Sequence, residues 1–340
     1  MHARKMRQNY AQAFVLSVLF IVVTGFYFMS HHLNEYTVTI TADIRPADLE
    51  AGPCPSLKDE VVFQPSGIAP KMPKELEKVV PIWKNTTADK CIGKIKPKSR
   101  RKFSTQENDT FYGCVERNKN VNGVRDHSMH RYNRDRSIIY SYFKMLKMKP
   151  DVAIIEIGGY LGGLMAKLVE TTGTKRYVVL EPVPSFYKRF TKKVEDLSLK
   201  STVTVYSFGL AKTPKELQIA VHAEATSLLR DDIKKGVKTE TIKIFNVIDF
   251  FLQIGLGCHS LNLLTINCEG CEFDVIEMLT STSLIDNIDY VQFQPHAIVF
   301  TDQQEYNCKY CRLRQLLART HEVGYEFPHV WETWKRKGLS

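Results

Sequence analysis

The 340-residue chain shows no internal repeat, which argues against a solenoid or propeller. It has no arginine–aromatic pattern of an RNA-binding module, so nucleic acid is not expected as a partner. No G-K-[ST] follows any glycine-rich turn, which excludes a phosphate-binding P-loop. The first 29 residues contain no acid, and from Ala11 to Met29 there is no charge of either sign. Acids are also the minority overall, 37 against 47 lysines and arginines, for a net charge of +10. A basic balance favours acidic partners such as anionic glycan or a membrane surface. Much of the excess sits in one run, "KCIGKIKPKSRRK" (90–102), which reads most simply as a solvated, flexible segment.

The uncharged stretch is long enough to cross a bilayer, for which roughly 20 apolar residues suffice. Arg4, Lys5 and Arg7 precede it and favour a cytosolic amino end. A cleaved signal peptide would have a shorter apolar core followed by a small-x-small site; here the bulky "FYFMSHHLNEY" follows. The expected layout is a cytosolic tail (1–10), a transmembrane signal anchor (11–30) and a lumenal remainder, giving a type II protein of the secretory pathway, Golgi being the expected organelle. The sequons at Asn85 and Asn108 agree with a lumenal body. So do eight cysteines, an even number in an oxidising compartment. Two CxxC pairs, Cys268–Cys271 and Cys308–Cys311, raise zinc as the alternative to disulfides, although their separation exceeds the usual ribbon spacing. Spacing leaves the connectivity open.

Eight of the 14 prolines fall between Pro46 and Pro97. Residues 31–110 therefore read as a Pro-rich basic stem, partly extended and poorly packed. From 111 to 340 the texture is that of a folded domain. "RSIIYSYFKMLKM" has helical spacing, and then short apolar runs alternate with helical segments: "VAIIEI", "RYVVLE", "VTVYSF", "LNLLTIN" and "IDYVQFQ" are the strands. "ELQIAVHA" and "TETIKIFNVIDFFLQI" add further strands and a short helix. "CRLRQLLARTHEVGYEF" supplies a helix and a last strand. Such alternation predicts an α/β, Rossmann-like fold with a mostly parallel, doubly wound sheet and helices on both faces.

Ligands of such sheets bind at the carboxyl ends of the strands. The first strand runs into "EIGGYLGG", where Gly158, Gly159 and Gly162 allow close backbone approach and a helix amino end follows. Glu181 closes the second strand, where a carboxylate holds ribose hydroxyls. Tyr160 stands where a dinucleotide fingerprint needs glycine, and Glu156 suits a cationic aminoacyl tail. Together these favour S-adenosyl-L-methionine as the cofactor over a nicotinamide dinucleotide. Asp249 is expected to cap the short helix before Phe250, and Trp331 and Trp334 to pack a last helix.

The stretches "IIEIGGYLGG", "VVLEPVPSFYKRF" and "LLTINCEGCEFDVIEML" resemble the FkbM family of S-adenosylmethionine-dependent methyltransferases, over about residues 152–296. The resemblance implies a class I methyltransferase fold and O-methylation of a hydroxylated small molecule or glycan. It places Glu156, Gly158, Gly159, Gly162, Glu181 and Asn267 at the cofactor, and Glu269, Glu272 and His296 at the chemistry, with no metal assigned. A proton acceptor for a hydroxyl is needed, and His296 and Glu269 are the candidates. Asn267 and Gln294 stand where the family more often has acids. That leaves open a membrane-tethered binding protein that keeps the fold without turnover.

Overall fold

The structure is a computed structural model that describes residues 54, 73–83, 91, 94–98, 103–221, 239–297 and 300–339. All belong to the compact unit Gly52–Ser340. The tail and anchor expected over 1–30, and the sequon at Asn85, lie outside the described residues. Among the described residues no helix is long and apolar enough to cross a membrane.

The chain enters through a short helix α1 (Lys74–Glu77), then α2 (Thr105–Arg117) and α3 (Val121–Asp135). Ser104 starts α2 with a capping box: its side chain accepts from Glu107 N–H while the Glu107 carboxylate accepts from Ser104 N–H. The turn α4 (Ile138–Ser141) continues as a 3-10 helix, Tyr142–Met148. The alternating part follows: β1 (Ala153–Ile157), α5 (Gly163–Thr172), β2 (Arg176–Leu180), α6 (Pro184–Asp196) and β3 (Val203–Tyr206). After β4 (Gly209–Ala211), β5 (Lys215–Ala220) and β6 (Thr239–Asn246) come α7 (Val247–Gln253), β7 (Leu261–Ile266), α8 (Cys271–Thr280) and β8 (Ile288–Phe293). Helix α9 (Gln303–Leu317), β9 (His321–Phe327) and β10 (Trp331–Arg336) complete the domain.

Seven strands form the main sheet in the order β3-β2-β1-β7-β8-β10-β9. The pairs from β3 through β8 are parallel, and β10 runs antiparallel to both of its neighbours. The expected mostly parallel sheet is thus present. Both faces are covered: Ala153, Ile155 and Ile157 of β1 enter one apolar cluster and Ile154 the other. Burial on both faces explains why these strands read as continuous apolar runs.

Four features differ from the sequence expectation. Strands β4, β5 and β6 leave the main sheet and form their own, in the order β4-β6-β5. Trp331 and Trp334, expected to pack a last helix, lie on a strand, on opposite faces of β10 and in different clusters. Asn246, not Asp249, caps α7, its Oδ1 accepting from Ile248 and Asp249 N–H. Finally, described parts of the stretch read as a stem pack on the domain. Leu76, Val79, Trp83 and Ile95 are buried in the larger cluster, and Lys98 N–H donates to the Ser281 carbonyl at 2.7 Å. Apolar side chains spaced among the prolines and lysines supply that anchoring. The sequon residue Asn108 lies within α2.

The eight cysteines form four disulfides: Cys54–Cys308, Cys91–Cys258, Cys114–Cys311 and Cys268–Cys271. Among the described residues no group is arranged to hold a metal ion.

Candidate functional site

In the main sheet the chain winds from β1 outward to β3, then returns to lay β7 on the other side of β1. The crevice between the carboxyl ends of β1 and β7 is the topological switch point, where open α/β sheets take ligands. A cleft opens there. Its floor is Ile157, Gly158 and Asn267, one wall is Tyr160, Glu181, Pro182, Val183 and Phe186, and Cys268, Glu269 and Cys271 form the rim. A further wall comes from the small sheet, through Gly209, Leu210, Ile219, Ile242 and Ile244. Sequence reasoning missed that wall. The apolar alternation of β5 and β6 was visible, but not that the two strands fold over onto Phe186.

Gly158 is required where it stands. Its φ is +87°, and a Cβ there would lie 1.9 Å from the Asn267 carbonyl oxygen. Removing the Cβ lets the end of β1 lie against the end of β7, where Asn267 N–H donates to the Ile157 carbonyl. Gly159 and Gly162 serve a different purpose from the one expected. A Cβ on Gly159 would strike Val179 and Phe190, and one on Gly162 would crowd Phe190. Both let α6 pack closely, and neither lines the cleft.

Glu181 is aimed by its own loop. Oε1 accepts from Val183 N–H at 2.9 Å and Oε2 from Tyr160 N–H at 2.6 Å. Pro184 opens α6 immediately afterwards and fixes the exit of the chain. Tyr160 adopts φ +49°, and its ring meets Phe186 edge-on. Burial pushes the Glu181 carboxyl up to about 7, opposed by the two backbone donors.

Glu156 does not reach the cleft. Strand alternation puts it on the Ile154 face, where it accepts from the Tyr177 hydroxyl at 2.8 Å and is 2% exposed. Burial raises it to about 8, the Tyr177 bond opposing and Glu181 adding repulsion. The expected grip on an aminoacyl tail is therefore not made by this side chain.

At the rim, Glu269, Glu272 and His296 come together from two loops and the start of α8. His296 Nδ1 lies 3.1 Å from Glu272 Oε1, and Nε2 lies 3.4 Å from Glu269 Oε1. Glu272 is fully buried. Its Oε1 also accepts from His296 N–H and its Oε2 from Gly270 N–H. Burial alone would lower the imidazole, but the attraction of Glu272 and the bonds to both carboxylates outweigh it and raise it to about 10. His296 therefore carries its proton at neutral pH. An imidazolium cannot accept a proton from a substrate, so the upward shift argues against His296 as the expected base. Of the three, only Glu269 lines the cleft.

No family model matches the chain, and no curated protein does. Solved structures do. A tRNA (m1A58) methyltransferase from Aquifex aeolicus is similar at 12% identity and a TM-score of 0.31, over 60% of this chain and 70% of that one. The plantazolicin methyltransferase BpumL, in complex with SAH, matches over 68% of this chain and 98% of its own, at 9% identity and a TM-score of 0.30. The METTL16 methyltransferase domain gives 9% identity and a TM-score of 0.36, over 61% of this chain and 68% of that one. Values this low carry no functional argument, which rests instead on the residues of the cleft.

Proposed function

We propose that the protein is an S-adenosyl-L-methionine-dependent methyltransferase of the FkbM type that O-methylates a hydroxyl of a glycan or other secretory-pathway acceptor. One observation carries the reading. The described lining of the cleft holds two carboxylates, Glu181 and Glu269, and no lysine, arginine or histidine. Such a lining suits a ligand bearing positive charge and opposes one bearing phosphates. Glu181 is placed to take ribose hydroxyls on the lone pairs its backbone donors leave open. The apolar part of the lining, Phe186, Leu210, Ile219, Ile242 and Ile244, suits a heterocycle.

The cofactor supplies a methyl group on an already activated sulfur. What the protein adds is alignment and proton management. Tyr160 and Val183 N–H groups fix the clamp at Glu181. The rim carboxylate Glu269, steadied by the His296 imidazolium, is the group positioned to accept the hydroxyl proton. Glu272 holds His296 in place from behind and touches no ligand. The compartment, by this proposal, is the secretory lumen behind a single amino-terminal anchor, as the uncharged stretch and the four disulfides favour.

Calorimetry on the full-length chain tests the cofactor. S-adenosyl-L-methionine is expected to bind, NAD is not, and Glu181→Ala is expected to weaken binding by about 1–3 kcal/mol, the cost of unpairing buried polar groups. Unchanged affinity in the variant would put the ligand elsewhere. Transfer of labelled methyl to glycan acceptors tests the reaction. A second reading, a tethered binder without turnover, is favoured by the contact that already engages Glu269 with His296. Binding without any transfer would select that reading.

A further inference from the structure

Three of the disulfides join residues 167 to 254 positions apart, but Cys268–Cys271 spans only three. A crosslink restricts the unfolded chain according to the loop it closes, so this bond contributes least to the fold. Its effects are local, and they fall on the rim. Both sulfur-bearing residues line the cleft beside Glu269. Between them Glu269 is held at φ +55° and Gly270 at φ +118°. Glycine adopts left-handed backbone freely, but a residue with a Cβ stays there only where its surroundings hold it. On the other side of the loop, Gly270 N–H donates to Glu272, Glu272 binds His296, and His296 faces Glu269. The disulfide thus closes a ring of contacts whose one cleft-lining carboxylate is Glu269.

We propose that the Cys268–Cys271 disulfide is a positioning clamp that fixes Glu269 against His296, and that opening it by a dithiol reductant releases Glu269 and shuts down the chemistry while sparing the fold. The role of Glu269 in transfer rests on the methyltransferase reading; the clamp itself rests only on the geometry. In the opening step a reductant thiolate attacks one sulfur and the S–S bond breaks, leaving a mixed disulfide. The second reductant thiol displaces it. The protein gains two electrons and two protons as Cys268 and Cys271 thiols, and the reductant leaves as its own disulfide. Glu272 Oε2 lies 3.5 Å from Cys268 Sγ, in position to accept the new thiol hydrogen. Glu272 and His296 therefore keep their places, and Glu269 is the group set free.

The test uses the full-length chain with labelled histidine, as wild type and as the Cys268→Ser, Cys271→Ser double variant. The His296 signal is assigned by its loss in His296→Gln. In the double variant the His296 titration midpoint is expected to fall by at least one pH unit, because one of its two carboxylates has moved away. The buried His321 and His329 signals, remote from the rim, are expected to stay put. Methyl transfer is expected to fall at least tenfold, with affinity for S-adenosylhomocysteine within threefold of wild type. Brief dithiothreitol treatment of wild type should reproduce the His296 shift in step with alkylation of Cys268 and Cys271 followed by mass spectrometry. An unchanged His296 titration overturns the clamp. So does a shift of all three histidines together, which would make the bond a general staple. Absence of transfer in both proteins, with the His296 shift present, overturns the methyltransferase reading and leaves the clamp standing.

Discussion

The cleft and the opposite flank of the sheet use the same parts in opposite ways. Each has a buried glutamate, a buried histidine and a CxxC pair. On the flank, Glu332 of β10 is fully buried, and it is paired on every side. It accepts from Arg314 at 2.7 Å, from Trp334 Nε1 at 3.0 Å and from the Tyr310 hydroxyl. His329 bridges Tyr306 and Asn118 and is held neutral, its pKa lowered by burial to about 4. Cys308 and Cys311 of α9 reach two distant segments, Cys54 and α2. Around the cleft, Glu181 in its wall and Glu156 behind it have only neutral donors, His296 at the rim faces two carboxylates, and the CxxC closes on itself. A buried acid with its cation in place is a structural member. A buried acid without one has a raised pKa and remains open to a cation from outside.

That contrast is most easily broken at Arg314. Arg314→Ala would leave Glu332 buried with two neutral donors, converting the flank's arrangement into the cleft's. Breaking a buried pair from one side costs about 3–5 kcal/mol, so denaturant unfolding should show a loss of that size with nucleoside binding retained. A loss below about 1 kcal/mol, the range of an exposed pair, would mean that Glu332 is not dependent on its cation and that the two regions do not differ as argued.

A smaller effect should appear with pH. The Glu156 carboxyl is raised by burial from 4.5 to about 8. A carboxyl whose pKa is higher folded than unfolded contributes stability below its unfolded pKa and loses it as pH rises through the folded value. The window is therefore about pH 4.5–8, where the unfolded chain ionises and the folded one does not. Glu156→Gln keeps an acceptor for Tyr177 and has no proton to lose. Wild type and variant should match near pH 4.5, and the variant should gain on wild type toward pH 8, with a slope of order 1 kcal/mol per pH unit at most. Parallel stability curves would show that Glu156 ionises as freely in the fold as in water.

The two regions also differed in how far the sequence revealed them. The parallel strands were legible because burial on both faces leaves uninterrupted apolar runs. The positions of Gly158 and Glu181 at the cleft were legible because they close the first two apolar runs, where the strand ends lie. Glu156 was placed one side too far: when both faces are buried, alternation does not say which face meets the cleft. The state of His296 depends on two carboxylates of a segment that only the fold brings beside it. The flank was the least legible. Disulfide partners 197 and 254 positions apart follow the chain path, which no local pattern encodes. Strand β10 was missed because its tryptophans were expected to pack a helix.

The smallest expected effect separates strain from habit within the cleft's own turn. Gly158 and Gly163 lie five positions apart in one turn. A Cβ on Gly158 has nowhere to go, because the Asn267 carbonyl occupies its place. A Cβ on Gly163, the first residue of α5, would meet nothing within 4 Å, and its φ is not positive. Gly163→Ala should therefore stabilise the protein by about 0.4–1 kcal/mol, chiefly by restricting the unfolded chain, and leave nucleoside affinity unchanged. Gly158→Ala should destabilise it and abolish binding, since β1 and β7 must part to admit the methyl group. If Gly163→Ala also weakens binding, the ligand approaches the start of α5 more closely than the lining of the cleft suggests, and the strained zone extends past the β1–β7 junction into the helix.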